Sequence, residues 1–113
     1  MMIKKNQWEI ASDVVIADTF LSRARGLMFR KQMNNFDGML ITPCNSIHTF
    51  GMNFPIDVIF LSKTFEVVKV LENLKPYRMT RPYFSASQVL ELKSGTINGR
   101  LSKGDRLEVS CIN

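Results

Sequence analysis

From Trp8 the apolar residues fall on alternate positions, Trp8, Ile10, Val14 and Ile16, with Glu9 and Asp13 between them. A period of two marks a strand with one buried face, so a first strand is expected over about 8–17. Asp18 and Thr19 are good helix starters, and Phe20 to Arg25 run into Gly26, a residue suited to a left-handed helix cap; one short helix is expected there. Met39 to Thr42 reads as a buried strand closed by Pro43, and Ile56 to Leu61 as a second, rich in β-branched residues. Glu66 to Glu72 is expected to pair back on that strand across Ser62-Lys63-Thr64-Phe65, although this turn lacks the Asn-Gly or Asp-Gly of a secure tight hairpin. Lys75 to Phe84 holds Pro76 and Pro82 and reads as an exposed loop. Gln88 to Lys93 and Arg106 to Cys111 resume the alternation, separated by glycines 95, 99 and 104. Six short strands, one or two short helices and no long helical pattern between strands predict a mainly β chain, a compact antiparallel sandwich or partly open barrel.

Composition narrows the setting. With 113 residues, a single domain over 1–113 is expected. Leu, Ile, Val and Phe number 35, enough to collapse into a core, so disorder is excluded as the reading. The longest apolar runs, Val14 to Ala17 and Val58 to Leu61, have four residues each, far from the roughly 18 needed to span a bilayer. Two lysines near the start precede no apolar stretch, so no export signal is read and a cytoplasmic address is the simplest expectation. The net charge of +5 speaks for solubility and an anionic partner, not for a histone-like role. Cys44 and Cys111 lie 67 positions apart, without a Cys-x-x-Cys pair, which reads as two buried thiols instead of a disulfide. Cys44 and His48 offer two metal ligands, but the spacing supplies no obvious third, so no metal and no cofactor are expected.

Three segments carry candidate chemistry. Gly38 to Ile56 is free of Lys, Arg, Asp and Glu, and His48 is the chain's one histidine. Its loop portion, Asn45 to Phe54, mixes Phe50, Met52 and Phe54 with small polar groups, the composition of a pocket wall or, more often, of a loop sealing the core. Asp57 shares a strand face with Ile59 and Leu61, while Ile56, Val58 and Phe60 take the other, so a carboxylate points at apolar company. It then needs a cation, several backbone N–H donors or a raised pKa. Arg25 and Arg30 are the candidate cations, because a guanidinium grips a carboxylate bidentately; a purely structural ion pair is the plainer alternative. Glu91 poses the same question on Val89's face, and a place at a sheet edge would answer it. Finally, Lys75 to Phe84 interleaves three cations with three aromatics, which suits single-stranded nucleic acid or a phosphate-bearing ligand. Such a stretch is more often a solvated, proline-stiffened loop, and nucleic acid is not the favoured partner.

The blocks Ser22-Arg23-Ala24-Arg25-Gly26-Leu27-Met28-Phe29-Arg30, Gly38-Met39-Leu40, Ile47-His48-Thr49-Phe50-Gly51-Met52, Pro55 to Leu61, Val89-Leu90-Glu91-Leu92 and Gly104-Asp105 together resemble the domain-of-unknown-function family numbered 192, over about 19–109. The resemblance implies a compact, mainly β, jelly-roll-like prokaryotic domain and no established activity. Its motif positions fall on Arg25, Gly26, Met28, Arg30, His48, Met52, Asp57, Glu91 and Gly95. The turn after Leu61, commonly Asp then Gly in that family, is Ser62-Lys63-Thr64-Phe65 here, which leaves its geometry open.

The expectation that follows is a non-enzymatic binding domain. Its ligand residues would be Arg25, Arg30, His48, Met52, Asp57 and Glu91, its pocket near His48 and Asp57, and its ligand a small anion. One alternative is a small enzyme with His48 as acid or base and Asp57 as its orienter. Another is nucleic-acid or anion association through residues 75–84.

Overall fold

The computed structural model describes residues 1–19, 22–23 and 36–111. Eight strands run in chain order: β1 Met2–Lys5, β2 Trp8–Ala11, β3 Val14–Ala17, β4 Gly38–Ile41, β5 Ile56–Leu61, β6 Val67–Leu74, β7 Gln88–Lys93 and β8 Glu108–Ser110. They form a three-stranded sheet in the order β2-β1-β8 and a five-stranded sheet in the order β3-β4-β7-β5-β6. All pairings are antiparallel except β3 with β4, which is parallel.

The expected first strand is two. Ser12 and Asp13 break it, and Asp37 holds the break: its carboxylate accepts from Ser12 N at 2.9 Å and Asp13 N at 2.8 Å. The half before the break joins the small sheet and the half after it the large one. Thr19 starts the expected helix, its hydroxyl accepting from Ser22 N at 3.1 Å and its carbonyl from Arg23 N at 2.9 Å. The rest of that helix lies outside the described residues. The Ser62–Phe65 turn closes with Phe65 N donating to Ser62 O at 3.1 Å, and Phe65 takes a φ of 64°, the left-handed conformation a glycine would adopt freely.

The inner strands of the five-stranded sheet, β4, β7 and β5, are buried on both faces. Leu40, Ile59, Leu61, Leu90 and Leu92 face Ile3, Ile10 and Ala11 of the small sheet, forming the inter-sheet core with Ile97, Leu101 and Leu107. Met39, Ile41, Ile56, Val58, Phe60 and Val89 face the other way, under a cover that includes Ile47 and Met52 of the charge-free segment. Every residue of β4 and β5 is therefore buried, the pattern of strands enclosed from both sides.

Candidate functional site

The charge-free segment and the basic segment are bound to each other. Thr49 N donates to Arg78 O at 2.8 Å, Tyr77 N to Thr49 O at 3.1 Å, Thr80 N to Ile47 O at 2.9 Å and Tyr83 N to Asn45 O at 2.9 Å. The fully buried Thr49 hydroxyl donates to Lys75 O at 2.7 Å and accepts from Arg78 N at 2.8 Å. Along this ladder Ile47, Thr49 and Met52 point inward, whereas His48 and Phe50 face solvent, their rings stacked at 5.5 Å. Met52 and Phe54 thus seal the outer face of the large sheet, and His48 sits on its outer surface.

Asp57 is fully buried on the opposite face, in register with Leu92 of the inter-sheet core. Its two carboxylate oxygens accept from backbone donors, Asn73 N at 2.9 Å and Ile97 N at 3.0 Å. The carboxylate therefore ties β5 to the end of β6 and to the turn after β7, a structural clamp. Arg25 and Arg30, its expected partners, lie outside the described residues. The large sheet separates His48 from Asp57, so an acid/base pair of these two is not a geometry the fold makes.

The acid on His48's side of the sheet is Glu91. It stands in β7, the central strand of the large sheet, in register with Met39 of β4 and Val58 of β5, which corrects the expected edge position. It is 3% exposed, and its Oε2 has no hydrogen-bond partner among the described residues. Burial pushes its carboxyl up to about 8, because removing a carboxylate from water disfavours the charged form. Glu91 is therefore mostly a neutral acid at pH 7.

Cys44 lies close enough to feel it. Burial raises the Cys44 thiol, a backbone hydrogen bond from Ser46 opposes that rise, the Glu91 carboxyl adds to it and the Arg23 guanidinium opposes it. Arg23 in turn donates to Pro43 O at 3.1 Å. Cys44 and Arg23 thus join Glu91 in a neighbourhood that alternation along the chain could not reveal. No three His, Cys, Asp or Glu side chains are grouped for a metal among the described residues. No described helix is long and apolar enough to cross a membrane.

Comparison with known proteins places this architecture. The chain is 42% identical over 104 residues to UPF0127 protein PF1050 of Pyrococcus furiosus, covering 88% of this chain and 89% of that one. It is 42% identical over 93 residues to UPF0127 protein PH1112 of Pyrococcus horikoshii, covering 78% and 76% respectively. A crystal structure of a protein of unknown function from Novosphingobium aromaticivorans shares the fold, with a TM-score of 0.79 at 24% identity over 96% of this chain and 82% of that one. The family described as DUF192, uncharacterized ACR, matches residues 2–109, and the chain belongs to that family.

Proposed function

We propose that the chain is a single, non-enzymatic binding domain whose site lies on the outer face of the large sheet, with Glu91 at its centre and Met52 in its wall. One observation carries the proposal: a carboxyl oxygen in the central strand is buried with no hydrogen-bond partner among the described residues. Leaving such a group unmatched costs about 1–3 kcal/mol, which a ligand's N–H or O–H recovers on binding. The ligand is then a hydrogen-bond donor with an apolar body, an amine or amide, matching Met39 and Val58 in register with the acid on the same face. His48 belongs to the rim, Asp57 holds the sheet from its far side, and Arg25 and Arg30 enter as candidate contacts from sequence. The small anion expected from net charge has no counterpart at this acid. Two free cysteines, Cys44 and the exposed Cys111, support a reducing, cytoplasmic setting.

The test is an NMR titration of isotope-labelled protein with benzylamine, benzamide and benzoate as probes. Benzylamine or benzamide should shift the amides of Val89 to Leu92 and of Met52, and Glu91→Met should abolish those shifts. Probe effects confined to the exposed rings of residues 77–84 would contradict the proposal.

A further inference from the structure

At the β6 edge of the large sheet, away from Glu91, a hollow in the surface gathers positive charge and an exposed ring. It is a groove of about 430 Å³ whose lining includes Lys69, Arg81, Tyr83, Phe84, Ser85 and Lys103. Three separate parts of the chain meet there. Lys69 comes from β6, the next four residues from the end of the basic segment and the residue after it, and Lys103 from the turn before β8. That turn is fastened to β6, with Gly104 N donating to Val67 O at 2.8 Å and Val67 N to Asp105 O at 2.7 Å.

The lining contains no carboxylate, and the ion pairs formed among the described residues involve other lysines, Lys4 and Lys5. Three cations converging without an acid repel one another and favour an anion between them. Arg81 is already oriented, its guanidinium carbon 4.3 Å from the centre of the Tyr83 ring, while that ring packs on Phe60 at 4.5 Å. Phe84 is different: it is 84% exposed beside the groove. A simple anion has no use for such a ring, whereas a phosphate bearing a planar base uses both features. The volume also falls within the ~300–1,000 Å³ typical of small-molecule sites.

We propose that this groove is a nucleotide-binding site, in which Lys69, Arg81 and Lys103 hold the phosphate and Phe84 stacks on the base. It stands independently of the Glu91 site. The nucleotide is either free or one unit of a single strand; Tyr77 and Arg78, both exposed, continue the pairing of ring and cation beyond the groove.

Calorimetric titration of the full chain at low ionic strength with AMP, adenosine, inorganic phosphate and an oligoadenylate of about eight nucleotides tests this. AMP should bind saturably, at least tenfold tighter than adenosine or phosphate alone, and progressively more weakly as salt is added. Phe84→Ala should weaken AMP by roughly five- to a hundredfold, the range for loss of one stacking ring, and Lys103→Ala should flatten the salt dependence. An oligomer no tighter than AMP identifies a free nucleotide as the source. One at least tenfold tighter, with that gain lost in Arg78→Ala, identifies a single strand; either outcome supports the site. The proposal is overturned if neither AMP nor the oligomer saturates, or if phosphate binds as tightly as AMP. It is equally overturned if Phe84→Ala and Lys103→Ala, with unchanged urea midpoints, bind AMP as wild type does.

Discussion

Replacing Glu91 by Gln keeps the side chain's shape and removes its titration. In the folded chain the Glu91 carboxyl is raised from 4.5 to about 8, so between those values the native state holds one proton that the unfolded state has released. Stability contributed by this group is complete below about pH 4.5 and is lost as pH rises towards 8, at about 1.4 kcal/mol per unit. Glu91→Gln lacks that loss. Whatever constant offset the buried amide adds, the variant should gain on wild type by roughly 4 kcal/mol between about pH 5 and pH 9. The group is 3% exposed, so solvent screening gives little reason to discount the figure. Urea denaturation followed through Trp8, the single tryptophan, which lies under the Arg100 guanidinium at 3.7 Å, reads the difference directly. Other titrating groups are common to both proteins and cancel. A stability difference flat to within about 1 kcal/mol over that range would refute the assignment of Glu91 as a buried acid with a raised pKa.

Asp57→Ala strands two backbone donors, the buried Ile97 N and the part-buried Asn73 N, and should cost roughly 2–5 kcal/mol in urea; a loss under about 1 kcal/mol would show that this carboxylate is no clamp. Thr49→Val keeps the volume but deletes the bonds to Lys75 O and Arg78 N. It should cost roughly 2–4 kcal/mol and speed amide exchange at residues 77–80 before the β-sheet core opens, whereas unchanged exchange there would show that the ladder does not depend on this hydroxyl. His48→Ala removes an exposed ring that touches Phe50 and should change stability by less than about 0.5 kcal/mol; a larger drop in the urea midpoint would make His48 part of the packing.

What was legible in the chain was the local pattern. The apolar stretch of β4 reads as a buried strand and that of β5 as one buried on both faces, whereas β7 reads only as alternating; Asp57 stands out because its neighbours on the same face are Ile59 and Leu61. Partners distant along the chain were not legible. The break at Ser12 and Asp13 depends on a carboxylate 24 and 25 positions away. β1, half polar by composition, exists because it pairs with β8 at the other end of the chain. The donors to Asp57 are backbone N–H groups, which every residue but proline carries, so side-chain chemistry pointed instead to arginines. For Glu91, alternation gave the correct face but not the strand order, and it is the order, with β7 between β4 and β5, that makes this acid central instead of peripheral. Lys69 and Lys103 stand 34 positions apart and meet Phe84 only because a turn is fastened to β6.

The most direct measurement is the titration of the Glu91 side-chain carboxyl carbon by NMR, free and with benzylamine present. The midpoint should lie near 8 in the free protein and move down when the ammonium group pairs with the carboxylate. A midpoint near the ordinary 4.5, unmoved by the amine, would contradict this.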